Sequence, residues 1–77
     1  MKIRDVFATN LRRLRHEKGM SQEELADRAK INRTYVSKLE TAATWAGLEI
    51  IAKLAKVLRV EPAELLKLPP SVTKRRK

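Results

Sequence analysis

The sequence predicts an all-α fold, a compact bundle of five helices, from three observations. Only two glycines and three prolines occur in 77 residues, too few for a protein built on many tight β-turns. Apolar residues recur three or four positions apart along most of the chain, which is the spacing of one helix face. The chain contains one residue each of tryptophan, tyrosine and phenylalanine, so aliphatic side chains must supply most of the core. A chain of this length has room for a single small core.

The first predicted helix runs from about residue 3 to Lys18. Its apolar stripe has spacings of four, four and three residues and consists of Ile3, Phe7, Leu11 and Leu14. Asn10 and the arginines between these positions are expected on its other faces. Gly19 follows the helix, where a residue in the left-handed conformation commonly ends one.

The next two helices are short and carry recognisable caps. One covers about residues 22–29 and the other follows Asn32 and ends at Glu40. Ser21 and Glu24 have the spacing of a capping box, in which each side chain bonds the other residue's amide. Asn32 is a favoured N-cap residue for the second of the two helices.

Only two residues outside the caps, Lys30 and Ile31, separate these helices, so the helices must cross steeply. A steep crossing requires small side chains, and Ala26 and Val36 occupy the facing positions. One face of the third helix is then left to project from the domain. Its projecting residues are Arg33, Thr34, Ser37 and Lys38.

The fourth predicted helix, over about residues 48–58, has an apolar arc wider than half its circumference. Its polar positions form one narrow strip, so the helix is expected to be buried on two sides. A second apolar stripe on it consists of Ile50, Leu54 and Val57. Two interpretations of that stripe are open: it packs against the fifth helix, or it forms half of a two-fold dimer interface.

A fifth helix is predicted to start at Pro62, because proline is well tolerated at the first helical position. Its apolar side consists of Leu65, Leu66 and Leu68. Two consecutive prolines at 69 and 70 end it. The domain is therefore expected to comprise residues 1–68, followed by a basic, disordered tail over residues 69–77.

The charge balance points to a polyanionic partner. Eighteen Lys and Arg residues against nine Asp and Glu give a net charge of +9 and a pI near 10.5. Such an excess on a small domain favours binding to nucleic acid or to an anionic membrane surface. The N-terminus has no apolar run typical of a signal peptide, and we expect a cytoplasmic, nucleoid-associated protein.

Several function classes are disfavoured by the residues present. The chain has no cysteine and a single histidine, His16, so neither disulfides nor a metal site are expected. It contains no phosphate-binding loop and no pattern pairing a nucleophile with a histidine, so an enzyme is not expected. We expect no cofactor and no small-molecule ligand.

Specific motifs narrow the prediction. They are LRRLRHEKGMSQEELA over residues 11–26, VSKLE over 36–40, LEIIAKLA over 48–55 and VEPAELL over 60–66. Together they resemble the helix-turn-helix family of lambdoid phage repressors and xenobiotic-response-element-type (Cro/C1-type) regulators, over about residues 6–68. The resemblance implies a five-helix bundle whose third helix lies in the major groove of DNA.

The resemblance also implies roles for individual residues. Arg33, Thr34 and Lys38 occupy the base-reading positions, with Ser37 beside them. Gln22 occupies a position that touches a DNA phosphate, and further phosphate contacts are expected from Ser21, Asn32, Tyr35 and Arg12. Instead of contacting a phosphate, Tyr35 could pack on the second helix. Arg12 could be a solvated surface charge. Arg15 and Glu40 correspond to the buried structural ion pair of the family.

This chain departs from the family pattern at two places. Lys30 stands where the family usually has glycine in a left-handed conformation. The loop over residues 41–47 contains no charged residue, although in the family this loop often touches phosphates. Trp45 in the loop is expected either at a subunit interface or packed on the core.

The sequence therefore predicts a homodimeric repressor that binds double-stranded DNA and reads an inverted repeat through the third helix. The predicted dimer interface consists of Trp45, Ile50, Leu54 and Val57. A phage-type repressor, an antitoxin and a restriction-modification controller are equally compatible with these residues. A protein-binding module and a membrane-surface protein are the alternatives from other classes.

Overall fold

The computed structural model describes residues 2–69, which form four α-helices and one short 3₁₀ segment, with no strand among them. In chain order these are α1 (Ile3–Glu17), α2 (Gln22–Ala29), α3 (Arg33–Glu40), α4 (Leu48–Leu58) and the 3₁₀ segment (Pro62–Leu65). The predicted all-α class is confirmed. The predicted fifth α-helix is wrong in kind, because a single 3₁₀ turn takes its place. Apart from Pro69, the predicted basic tail lies outside the described residues.

Helix α1 ends as its sequence predicts, one residue earlier than expected. Gly19 has a φ of +69°, in the left-handed region that only glycine adopts without steric cost. The Met20 amide donates to the Arg15 carbonyl at 3.1 Å, and the Gly19 amide donates to the His16 carbonyl at 3.0 Å. This paired arrangement satisfies helix-end carbonyls and turns the chain toward α2.

Side-chain caps start the next two helices. The Ser21 hydroxyl oxygen accepts from the Glu24 amide at 2.9 Å, and the Asn32 Oδ1 atom accepts from the Thr34 amide at 2.7 Å. The reciprocal half of the predicted capping box is replaced by another contact, because Glu24 Oε2 lies 3.4 Å from an Arg28 guanidinium nitrogen. These caps fix where α2 and α3 begin.

The connection between α2 and α3 is left-handed at Lys30, with φ 59° and ψ 44°. The Ile31 amide then donates to the Ala26 carbonyl at 2.9 Å, which closes the end of α2. A residue with a Cβ atom in this conformation carries strain of about 1–2 kcal/mol. The chain therefore keeps the backbone shape for which the family commonly uses glycine.

The core lies between α1, α2, α3 and α4, and leucine dominates it. Ala26 and Val36, the residues expected at the α2–α3 crossing, both belong to this buried cluster. The side chains that are completely removed from solvent include Leu11, Leu25, Leu39, Leu54, Leu58 and Leu65. Burial of such side chains stabilises the fold by about 1.5–3 kcal/mol each.

Asn10 holds the 3₁₀ segment against α1. Its side chain is completely buried, and Nδ2 donates to the Leu65 carbonyl at 3.0 Å and to the Lys67 carbonyl at 2.6 Å. Both carbonyls lie where a continuing helix would require its own bonds. Asn10 lies off the apolar stripe of α1, on a face that the C-terminal segment covers.

Helix α4 packs against both α2 and the 3₁₀ segment, as its wide apolar arc predicts, but the arc is not covered at the start of the helix. Leu54, Ala55 and Leu58 face the core, whereas Leu48 at the start of the helix is 84% exposed. Ile3, predicted in the apolar stripe of α1, is also exposed. The bundle has too few helices to cover the whole apolar arc. None of the described helices is long and apolar enough to cross a membrane.

Candidate nucleic-acid interface

Helix α3 presents two faces of opposite character. Val36, Leu39 and Glu40 are buried on one side. On the other side Arg33, Thr34 and Lys38 are exposed and Ser37 is half-buried. The four residues predicted to read bases therefore lie together on the face that projects from the domain. Two cations and two hydroxyls on one helix face provide hydrogen-bond donors and acceptors for base edges and phosphates.

The N-terminus of α2 lies beside α3. Gln22 Nε2 donates to Glu40 Oε1 at 3.0 Å, so this side chain bridges from the first turn of α2 to the last turn of α3. The first amides of an α-helix have no intrahelical acceptor, and with the helix dipole they attract an anion. The bond to Glu40 uses one amide hydrogen of Gln22, and the cap uses the Ser21 hydroxyl only as an acceptor, so each group retains a hydrogen that can be donated to an anion.

A buried ion pair connects α1 to α3. Arg15 Nε lies 2.6 Å from Glu40 Oε2, and Arg15 Nη2 lies 3.0 Å from Glu40 Oε1. The two side chains are only 10% and 2% exposed. Arg15 Nη1 also donates to the Met20 carbonyl at 2.8 Å. Since Gln22 bonds the same carboxylate, three helices meet at Glu40, and this network sets the angle at which α3 projects.

The other residues predicted to contact phosphates differ in whether their side-chain donors are already used within the protein. Asn32 is exposed, and its Oδ1 atom caps α3 while its amide hydrogens stay unused by that cap. Arg12 is exposed, and its Nη1 atom donates to the Glu40 carbonyl at the end of α3. Tyr35 is half-buried and donates its hydroxyl hydrogen to the Trp45 carbonyl at 3.3 Å. Tyr35 therefore has no hydrogen left for a phosphate in this conformation and holds the following loop instead.

One contact at this surface had no signal in the sequence pattern. Glu23 Oε2 on α2 lies 3.7 Å from Arg33 Nε on α3. Ten residues separate the two along the chain, with no periodic relation between them. Only the crossing of α2 and α3 brings the carboxylate to the guanidinium.

The loop over residues 41–47 is built from turns and carries no charge. The Thr41 hydroxyl donates to the Ser37 and Lys38 carbonyls, both at 3.2 Å, so it is occupied in capping α3. Ala42 has a φ of +63°. This loop has no cation to offer a phosphate, and any anion contact from it must come from backbone amides or hydroxyls.

An apolar groove opens on the surface beside this loop. It has a volume of about 330 Å³, and its apolar lining comprises Ile3, Phe7, Trp45, Ala46, Ile51 and Leu66. Trp45 is 67% exposed there. Of the other predicted dimer residues, Ile50 and Val57 are half-buried. Leu54 is completely buried in the core of its own chain, so its assignment to a dimer interface is wrong.

Two short, capped helices that cross closely, the second presenting a polar face to solvent, define a helix-turn-helix DNA-binding domain. The helix-turn-helix family model matches residues 11–65. The chain belongs to this family, the Cro/C1-type DNA-binding transcription regulators.

Individual relatives agree with this family. The chain is 46% identical over 68 residues to a hypothetical transcription factor of Neisseria meningitidis, covering 88% of this chain and 63% of that protein. It is 40% identical over 65 residues to the control protein C.BamHI of Bacillus amyloliquefaciens, which covers 83% of this chain and 80% of that protein. Its fold is similar to the restriction-modification controller protein C.AhdI of Aeromonas hydrophila, with a TM-score of 0.78 and 42% identity over 80% of this chain and 94% of the other. The chain thus spans less than two thirds of the Neisseria protein.

Proposed function

We propose that this protein is a homodimeric regulator that binds an inverted repeat in double-stranded DNA and represses transcription by occupying a promoter. The observation that carries the proposal is the exposed polar face of α3, a helix that the buried network at Glu40 connects to α1 and α2. A helix held in this way fits the major groove, where each base pair presents a distinct pattern of donors and acceptors.

In the proposed complex, the α3 side chains divide between base reading and support. Arg33 has the fork of donors that matches the O6 and N7 atoms of guanine, and the Thr34 methyl group suits contact with a thymine methyl. Lys38, one turn further along, reaches a guanine or a phosphate. Ser37 lies between them and is half-buried, so it contributes a short hydroxyl contact.

The α2 N-terminus and the residues near it would hold the DNA backbone. Gln22 and Ser21 lie at the helix end whose dipole attracts a phosphate. Asn32 at the start of α3 and Arg12 beside the end of α3 are also exposed. Contacts of this kind fix the register of a protein on DNA without selecting its sequence.

Two considerations support dimerisation: the apolar groove and the number of phosphate contacts that DNA binding requires. A single domain of this size makes few phosphate contacts, whereas a two-fold dimer doubles them and reads two half-sites about one helical turn apart. The exposed Trp45 and Leu48 supply apolar area that the monomer leaves uncovered. We therefore place the interface at Trp45, Leu48 and the groove, with Ile50 and Val57 at its margin and Leu54 beneath it.

Within this class, control of a restriction-modification system is the more specific candidate. It is favoured by the likeness to C.BamHI and C.AhdI, whose names describe a control protein and a restriction-modification controller. A restriction endonuclease and a methyltransferase encoded beside this gene would support that role. Their absence, together with repression of an unrelated promoter, would contradict it.

The direct test is a gel-shift titration of the protein against the DNA upstream of its own reading frame, with a random duplex of equal length as competitor. Binding is measured at two salt concentrations, because phosphate contacts make affinity fall steeply with salt. We expect a specific complex at least a thousandfold tighter than binding to the random duplex. Equal affinity for both duplexes at both salt concentrations would contradict the proposal.

A further inference from the structure

Glu23 places a negative charge against Arg33, the first of the proposed base-reading residues. Glu23 is the second residue of α2 and Arg33 is the first residue of α3. Their closest charged atoms, Oε2 and Nε, lie 3.7 Å apart, and the side chains are 78% and 56% exposed. At this distance the contact is an ion pair and not a hydrogen bond. The carboxylate therefore attracts the guanidinium while both side chains remain accessible to a duplex.

The carboxylate approaches one particular edge of the guanidinium. Arginine has five N–H donors in a planar fork, one on Nε and four on the two terminal nitrogens. Because the closest approach of Glu23 is to Nε, the terminal edge with Nη1 and Nη2 is not needed for this contact and stays available to a ligand. Two parallel N–H groups on one edge are what a guanine needs for bidentate recognition through O6 and N7.

The same carboxylate has a cost in affinity. It lies in the first turn of α2, which the proposed function places next to DNA phosphates, so its charge opposes binding to every duplex. This repulsion is common to all duplexes, so it lowers overall affinity without changing the difference between right and wrong sequences. Glu23 changes that difference only through Arg33, whose guanidinium it holds.

We propose that Glu23 is a specificity-determining residue that acts by positioning Arg33 so that its terminal edge is presented to a guanine, at the cost of lower affinity for all DNA. The inference rests on the proposed function and deepens it. An acidic residue in a first helical turn also stabilises the helix through the dipole. Glu24 shares that role in the same turn, but its carboxylate contacts Arg28 at 3.4 Å instead of a base-reading side chain. Glu24 therefore supplies the matched control.

The experiment compares Glu23→Gln with Glu24→Gln, each of which removes one negative charge from the first turn of α2. The probe is the duplex that the wild-type protein selects from a random pool, together with all its single-base-pair variants. The base pair read by Arg33 is the one at which Arg33→Ala loses discrimination. We expect Glu23→Gln to bind random DNA more tightly and to lose about threefold to fivefold in discrimination at that base pair, the size of a surface ion pair. Glu24→Gln should retain the wild-type discrimination.

A second comparison repeats Glu23→Gln in the Arg33→Ala background. If Glu23 acts through Arg33, the substitution has no further effect on discrimination there. Unchanged discrimination in the single variant overturns the inference. An equal loss in both backgrounds also overturns it, because Glu23 would then read a base itself, for example a cytosine amino group. If the wild-type protein selects no sequence at all, the proposed function fails and this inference fails with it. Thermal unfolding of both Gln variants shows whether any change reflects lost stability.

Discussion

Removing the charge of Glu40 should destabilise the domain more than any surface charge removal. In the structure the carboxylate makes two contacts with Arg15, at 2.6 and 3.0 Å, and one with Gln22, at 3.0 Å. Glu40→Gln keeps the shape but leaves the Arg15 guanidinium buried without a counter-charge. Breaking a buried pair in this way costs about 3–5 kcal/mol. A domain of this size is stable by about 4–12 kcal/mol in total, so the loss is a large fraction.

The matched control is Glu17→Gln. Glu17 pairs with Arg13 at 3.3 Å on the surface of α1, with side chains 56% and 26% exposed. Surface pairs of this kind contribute about 0.2–1 kcal/mol. Urea unfolding followed by circular dichroism at 222 nm measures the free energy of unfolding of both variants. A loss in Glu40→Gln no larger than in Glu17→Gln would refute the reasoning that the network at Glu40 holds α3 in place.

A companion substitution separates stability from geometry. Replacing Arg15 and Glu40 together by Met and Leu removes both charges and restores apolar packing. Such replacements are often neutral or stabilising by about 1–4 kcal/mol. We therefore expect the double variant to fold, but to bind DNA more weakly because Gln22 loses its partner on α3.

Three further predictions concern the fold and the dimer. Asn10→Ala leaves the Leu65 and Lys67 carbonyls without their donor and should cost about 1–3 kcal/mol in the free energy of unfolding, measured in urea, whereas Thr9→Ala beside it should cost less. Lys30→Gly should raise the midpoint of thermal unfolding. The relief of about 1–2 kcal/mol of left-handed strain exceeds the conformational entropy that glycine loses on folding. A lower midpoint would contradict the presence of this strain. Leu48→Lys should shift the protein toward monomer in sedimentation equilibrium without loss of helix content, because Leu48 is exposed in the single chain; an unchanged molecular mass would place the interface elsewhere.

Helices α1 to α4 could be predicted to within a residue because their limits depend on local signals. Gly19, Ser21 and Asn32 act on backbone groups no more than a few residues away. Such signals are visible in a sequence window of one helical turn. The projecting face of α3 followed from the short connection between α2 and α3, which places Val36 at the crossing and leaves the opposite face of α3 exposed.

Features that depend on distant residues could not be predicted. The 3₁₀ segment replaces a fifth helix where Asn10, 55 residues earlier, occupies the Leu65 carbonyl. The exposure of Leu48 depends on how many neighbours the bundle offers, which the apolar periodicity of α4 does not contain. The contact between Glu23 and Arg33 depends on the angle at which α2 and α3 cross. In each case the feature depends on a residue or helix that lies far away in the sequence, beyond the few positions that a helical pattern covers.

The most direct test of the central claim is to compare Arg33→Ala with Gln22→Ala on the selected duplex and its single-base-pair variants. Arg33→Ala should cost about 1–3 kcal/mol on the selected duplex and relax the preference at one base pair. Gln22→Ala should weaken binding to all the duplexes by a similar factor, because a phosphate contact carries no base preference. Lys53→Ala, which removes a cation from the exposed side of α4, should change neither property. A uniform loss in Arg33→Ala, with every base-pair preference intact, would contradict base reading by α3.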